Sequence, residues 1–332
     1  MTDEIVQNPE TNGEVNKIVE WLKNHAIEIK TVESQEDQQD LDPLKNIVGV
    51  SQVVGLGEAT HGSKEFFQMK HRLVKFLVTE MGFDTVAFEC PEQQAKKIDY
   101  YIKTGEGSDG QLSEGLGYEV WKTQEVLDLI HWLREFNSNS DRQVSFYGCD
   151  VNDQTGLSSI ERDKRMAENV LGVLKEKPDS KIALWAHNSH VSYADEASFR
   201  GLGRNLKDEL GDRYMCFGML FNQGSTNARV GNLVTGEFSN RPNPVSLEPA
   251  ILGSYEHFFA QTHLPLAVFD LRATKESDLF DSWRSDNYTI REMGWAYDLD
   301  RKNNFLNKAD LINIFDVIVW IDKVSPSISL TE

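Results

Sequence analysis

Residues Val53 to Phe66 read V-V-G-L-G-E-A-T-H-G-S-K-E-F, a stretch that crowds ionisable side chains into the turn where a buried strand becomes a helix. Gln52 to Leu56 is a short apolar run closed by glycines, the pattern of a strand covered on both faces. From about Ser63 the apolar residues recur with helical spacing. The turn Gly57 to Gly62 therefore carries Glu58, Thr60 and His61 at the carboxyl end of a strand, where open α/β sheets place their ligands. In the helix that follows, Phe66, Met69, Leu73, Val74, Phe76 and Leu77 form one apolar arc at about 100° per residue. Lys70 falls inside that arc, and a lysine there either snorkels to the helix end or aims its cation at the carboxylates.

Working outward, a second apolar strand, Thr85 to Phe88, ends in Glu89. If the two strands are parallel, Glu89 arrives beside Glu58 and His61; the competing reading is a carboxylate capping the helix that Pro91 begins. From Pro91 to Asn137 the chain reads as helices and loops, Gln93 to Lys103 and Thr123 to Phe136, around a Gly/Ser-rich break at Gly105 to Gly110. Helical material of this length between two strands predicts an insertion over about 91–137 that lids the cleft. Tyr118 and Trp121 are its candidate apolar walls, or ordinary packing. A third strand, Val144 to Gly148, closes with Cys149 and Asp150, and a helix from about Ile160 to Lys175 leads to a fourth, Ile182 to Ala186. That strand ends in His187, Asn188, Ser189 and His190. Four successive strands deliver polar groups at their carboxyl ends, which a shared site explains better than coincidence.

The remaining segments carry a thinner signal. Glu14 to Ile27 is an amphipathic helix, and the polar E-S-Q-E-D-Q-Q-D that follows it reads as a solvated connection. Leu202 to Leu210 and Gly253 to Gln261 read as helices. Met215 to Phe221, Leu266 to Phe269 and Val317 to Ile321 read as strands, and a Ser/Pro-rich tail closes the chain. Gly224 to Leu252 is polar and turn-rich, the pattern of hairpins or an excursion over the cleft. The fold expected is α/β: a central, mostly parallel sheet with helices on both faces, residues 1–332 forming one domain.

Composition bounds the partners. With 34 basic and 53 acidic side chains in 332 residues the net charge is -19, which argues against a nucleic-acid or anionic-membrane partner. The three cysteines make neither a C-x-x-C pair nor a disulfide framework, as in a reduced, cytoplasmic protein. The first residues lack the pattern of a signal peptide, and no apolar run is long enough to span a bilayer.

Neither the serine-hydrolase motif G-x-S-x-G nor the zinc signature H-E-x-x-H is present. The G-x-G at Gly55 and Gly57 fails as a dinucleotide fingerprint, because Thr60 stands where the third glycine belongs and Glu58 would oppose a pyrophosphate. His187 and His190 could share a metal with nearby carboxylates, but their spacing just past a strand is a weak ligand signal. The remaining chemistry is His61 as general base on water, with Glu58 or Glu89 fixing its tautomer. Lys70, His187 or backbone N–H groups are then available for the oxyanion.

G-E-A-T-H-G-S-K-E-F at Gly57 to Phe66, M-K-H-R-L at Met69 to Leu73, V-A-F-E at Val86 to Glu89 and W-K-T-Q-E-V at Trp121 to Val126 resemble the erythromycin esterase family. So do Y-G-C-D at Tyr147 to Asp150, W-A-H-N-S-H-V at Trp185 to Val191 and G-S-Y-E-H-F-F at Gly253 to Phe259. The resemblance implies a metal-independent hydrolase without a cofactor that opens macrolide lactones, a route to antibiotic resistance. It makes His61 the base, with Glu58 and Glu89 as supporting carboxylates. It also places the family's basic residue at Lys70, where arginine is common, and suggests His257 as a late histidine of the site. Asp150, His187, Asn188, His190, Tyr118 and Trp121 are the candidate contacts to a small-molecule ester. The family's wider fold also includes metal- and haem-binding members, so a binding protein of the same fold without esterase activity is the alternative.

Overall fold

A computed structural model describes residues 9–197, 199–284, 288–300 and 305–330. Seven strands build the main sheet: β1 (Val53–Leu56), β2 (Thr85–Pro91), β3 (Ser145–Asp150), β4 (Ile182–Trp185), β5 (Tyr214–Asn232), β6 (Leu266–Asp270) and β7 (Val317–Val324). Their spatial order is β6-β7-β5-β1-β4-β2-β3, with the short strand Ile27–Glu28 added antiparallel beyond β6. Every pairing from β7 to β3 is parallel, and only β6 runs antiparallel to its neighbour. The mostly parallel α/β sheet read from the sequence is therefore the fold, with β1 near its centre.

Strand periodicity divides the core in two. Val54 and Leu56 of β1, Val86 and Phe88 of β2, and Ala183 and Trp185 of β4 face one apolar cluster; Val53, Ala87, Ile182 and Leu184 face the other. The helices α1 (Pro9–His25), α2 (Lys64–Met81), α3 (Glu92–Thr104), α4 (Asp109–Gly115), α5 (Gln124–Asn139) and α6 (Ser159–Glu176) cover these faces. α2 to α5 share the first cluster, through residues such as Phe67, Ile98, Leu112 and Ile130. α1 and α6 share the second, through Ile18, Leu22, Met166 and Val170.

Three details depart from the expected local structure. The segment 91–137 packs into the first cluster, and its Gly/Ser-rich break is itself partly helical: Ser108 and Gln111 form a capping box that starts α4. Only its connection around 116–123 reaches the cleft. The polar E-S-Q-E-D-Q-Q-D segment is not merely solvated, because Arg72, fully buried on α2, donates to the carbonyls of Thr31 (2.7 Å) and Asp37 and to the Asp40 carboxylate. A buried guanidinium needs acceptors, and this segment with the neighbouring Thr31 supplies them to both terminal nitrogens. Finally, β5 runs past Phe221 to Asn232. Its outer half pairs with Asn243–Leu247 as a hairpin and with Ala296–Asp298. Among the described residues no helix is long and apolar enough to cross a membrane.

Candidate active site

The carboxyl ends of β1, β4, β2 and β3 lie side by side, and each brings its polar group to one place. The turn after β1 is tied down by its backbone: Gly57 N–H donates to Phe217 O (2.8 Å), His61 N–H to Gly294 O (3.1 Å), and Glu58 O accepts from Asn188 N–H (2.9 Å). Its glycines are needed for close approach. A Cβ on Gly57 would stand 2.2 Å from Asn188 Oδ1, and one on Gly62 would stand 1.9 Å from the carbonyl oxygen of Asn227.

Held in that turn, Glu58 is fully buried and divides its carboxylate between two partners. His61 Nδ1–H donates to Oε1 (3.1 Å), while Lys70 donates to Oε2 and to the Ala186 carbonyl (3.1 Å). The Lys70 ammonium also lies over the Trp185 ring, 4.4 Å from its centroid. Lys70 thus aims at a carboxylate, the sharper of its two sequence readings, but it is fully buried and stands behind Glu58 rather than in the cleft. It positions Glu58 and is not placed to donate to a substrate oxygen. Burial pushes its ammonium well below the usual lysine range, against the pull of the Glu89 carboxylate.

With Nδ1 committed to Glu58, the His61 ring presents Nε2 to a cleft of about 510 Å³. Burial lowers the imidazole to about 4, helped by the charges of His190 and Arg162 and opposed by Glu89. The ring is therefore neutral near pH 7 and able to accept a proton.

A second network forms the cleft's other side. Glu89 accepts from Arg162 Nη2 (3.2 Å), from His190 Nε2 (3.2 Å) and from the backbone N–H of His187 (3.0 Å). His190 Nδ1 donates to Asp163 Oδ1 (2.7 Å), so both its ring nitrogens face carboxylates. Burial opposes the His190 charge, but Glu89 and Asp163 overrule it and raise the imidazolium to about 10. Burial likewise opposes the Glu89 charge, yet His190, His61 and Arg162 hold that carboxyl well below its usual range. Arg162 also donates to Asp150 through Nε (3.1 Å) and Nη2 (2.7 Å), and Tyr118 donates its hydroxyl to the same carboxylate (2.7 Å). Burial and Asp150 push the Tyr118 phenol up.

Of the residues expected at the site, His61, Glu89, Tyr118, Trp121, His187 and His190 line the cleft, and Glu58, Lys70 and Asp150 stand immediately behind it. Trp121 meets the His61 ring edge-on, with centroids 4.7 Å apart. Asn188 is different: its amide donates to Met219 O (3.1 Å) and accepts from Met219 N–H (3.0 Å), so it joins the turn after β4 to β5; it also hydrogen-bonds Glu292 and is not among the residues lining the cleft. His257 lies on the helix Tyr255–Ala260 and is not among the residues lining the cleft.

Arg162 and Asp163 were missed, although the sequence held their signal. Asp163 lies within the apolar arc of α6 with Met166, Ala167 and Val170, and Arg162 lies at its edge, much as Lys70 lies in the arc of α2. Glu292 carried no such signal. Its carboxylate stands 3.8 Å from His187 Nδ1, and burial raises it to about 8. Arg229, Glu119 and Trp295 at the cleft entrance come from segments with no regular pattern.

The ligand atoms of Glu58, His61 and Glu89 lie within 4.8 Å of one another, the one group of this kind among the described residues. Its two carboxylates are already matched by Lys70 and Arg162, so a divalent cation there would compete with two fixed cations.

Comparison with known proteins places this arrangement. The erythromycin esterase type II of Escherichia coli is 33% identical over 132 residues, covering 40% of this chain and 31% of that protein. The putative hydrolase YbfO of Bacillus subtilis is 30% identical over 123 residues, covering 36% and 26%. The chain thus spans less than a third of the length of these curated relatives. A solved Bacillus cereus protein superposes with a TM-score of 0.77 at 26% identity, covering 94% of this chain and 98% of that one. A succinoglycan biosynthesis protein superposes with a TM-score of 0.80 at 22% identity over the same shares. A mutant of the erythromycin esterase EreC in its open conformation gives 0.70 at 14% identity, covering 91% and 98%. At these last two identities only the fold is shared. The model of the erythromycin esterase family matches residues 78–161 and 152–324, and the chain belongs to that family.

Proposed function

We propose that this protein hydrolyses a carboxylic ester, with a macrolide lactone as the first substrate to test, by attack of a water molecule that His61 activates. The observation that carries this reading is the Glu58–His61 pair, whose Nδ1–H donates to a buried carboxylate while the rest of the ring opens to the cleft.

His61 Nε2 takes a proton as the water oxygen bonds to the acyl carbon, and Glu58 stabilises the imidazolium that forms. The oxyanion needs donors. Arg162, which lines the cleft, spends Nε and Nη2 on Asp150 and Glu89, while its Nη1 stands 3.4 Å from His190 Nε2 and is the side-chain donor assigned to the oxyanion. When the carbon–oxygen bond to the alcohol breaks, the imidazolium returns its proton to the alkoxide, giving an acid and an alcohol. In a lactone both remain in one molecule. His190, with both nitrogens facing carboxylates, acts as a fixed positive charge that holds Glu89 and through it the His187 backbone. Tyr118 and Trp121 supply the apolar wall for the substrate. The three free cysteines, all buried, are consistent with action in the cytoplasm.

The test is mass-spectrometric detection of water addition to erythromycin by the purified protein, with and without a chelator, beside His61→Ala. Hydrolysis that survives the chelator and is lost in the variant is the expected result. Hydrolysis that disappears with the chelator, together with stoichiometric metal in the purified protein, would instead favour a metal held by Glu58, His61 and Glu89.

A further inference from the structure

The cleft has two walls and a graded depth. Its floor, His61, Glu89, His187 and His190, is less than 9% exposed, whereas Arg229 and Glu119 have side chains 37% and 26% exposed and Trp295 is 47% exposed. These last three therefore mark the entrance. Glu119 opens the turn Glu119–Trp121 that carries the apolar wall. Arg229 sits on the outer half of β5, and its backbone N–H is bonded to the carbonyl of Trp295 (2.9 Å). Arg229 Nη2 donates to Glu119 Oε2, so the two walls are joined by a charged contact at the solvent end of the cavity.

We propose that the Arg229–Glu119 pair is a specificity device that sets the largest acyl or alcohol group the cleft admits. The proposal rests on the hydrolase reading for its substrate. Three features support this assignment. The pair joins elements far apart in sequence, so closing it draws the wall 118–121 toward the strand that carries Arg229. It is partly exposed, where an ion pair is weak and screened by salt, so a ligand can open it at small cost. It also makes no contact with the floor network: Glu58, Lys70, Glu89, Arg162 and His190 bond one another, His61, Asp150, Asp163 and the Ala186 carbonyl, and neither Arg229 nor Glu119 is among their partners. The cleft volume of about 510 Å³ falls within the range of small-ligand sites of about 300–1,000 Å³. With the pair closed, a compact ester fits that space. A glycosylated macrolide needs the entrance parted.

The experiment compares kcat/KM for erythromycin with that for phenyl acetate in the wild type, Arg229→Met, Glu119→Gln, and the exchanged pair Arg229→Glu with Glu119→Arg. The large-over-small ratio is expected to rise up to about fivefold in each single variant, the scale of an exposed ion pair, and to fall back in the exchanged pair. Raising NaCl should increase the ratio in the wild type and leave it flat in the single variants. A ratio unchanged by either variant, or a wild type insensitive to salt while phenyl acetate is still hydrolysed, overturns the proposal and leaves the hydrolase reading standing. If the wild type hydrolyses neither ester, the hydrolase reading fails. The pair is then judged by how strongly erythromycin protects His61 from diethyl pyrocarbonate, followed by mass spectrometry. Stronger protection in Arg229→Met than in the wild type supports a closed entrance, and equal protection overturns it.

Discussion

Lys70 and His61 reach opposite oxygens of one buried carboxylate, Glu58, although they approach from different elements, one from the middle of α2 and the other from the turn after β1. This relationship makes the lysine part of the histidine's environment without bringing it to the cleft. It also means that Glu58 has no oxygen left to rotate away: one is held by the ammonium, and the other fixes the imidazole tautomer.

The first consequence concerns pH. His61 works as a base only when unprotonated, and burial lowers it from 6.5 to about 4. The acid limb of kcat/KM for ester hydrolysis should therefore fall near pH 4, and a profile bending near pH 6.5 would show that the ring is not in this buried setting. His61→Ala should lower kcat by about 10²- to 10⁴-fold, the span of general-base catalysis, with the folded state retained by circular dichroism.

Lys70→Met removes the cation and leaves Glu58 buried without it. Breaking a buried pair by deleting one partner costs about 3–5 kcal/mol, which denaturant unfolding at neutral pH would detect. A loss below about 1 kcal/mol would mean that the ammonium is not compensating Glu58. Activity in the folded fraction should also fall, since the carboxylate that orients His61 loses its anchor.

Glu292 gives a stability signature of opposite sign to an ordinary carboxylate. Its folded value, about 8, lies above the usual 4.5 because burial disfavours the charged form. Between these values the folded protein holds a proton that the unfolded chain has released, so this group's contribution to stability falls as pH rises from about 4.5 to 8. Glu292→Gln should remove that decline. Urea midpoints at pH 5.5 and 8 should separate the variant from the wild type more at the higher pH.

Gly62→Ala tests the close approach that holds the catalytic turn. The added methyl would meet the backbone of Asn227 at 1.9 Å, which cannot yield as a side chain tip can. A loss of about 1–3 kcal/mol is expected, together with a drop in kcat from displacement of His61. Gly172→Ala on α6, with no atom within 4 Å of the added Cβ, is the control and should stabilise by about 0.5–1 kcal/mol.

The sheet was legible in the sequence because a strand buried on both faces requires an unbroken apolar run, and β1, β2, β4 and β7 all obey that rule. The same local logic placed Glu58, Glu89, Asp150 and His187 at strand ends, and Lys70 announced itself as a charge inside an apolar arc. Reading failed where a contact depends on distant chain. Asn188 looked like a site residue among histidines, yet its amide completes the backbone hydrogen bonding of Met219. Arg72 organises the segment Thr31 to Asp40, a contact between distant stretches of chain.

What the sequence determined by itself was therefore the α/β sheet and the strand ends that carry the polar groups, with His61 left to choose between Glu58 and Glu89. These follow from periodicity and from the geometry of parallel strands, which are properties of short stretches of chain. Only the tertiary structure decided how the charges are paired: Lys70 with Glu58, Arg162 with Glu89 and Asp150, His190 between Glu89 and Asp163, and Arg229 with Glu119. A charge pair is set by distance and burial in space, and nothing in the local order of residues encodes which of many carboxylates a buried cation will meet.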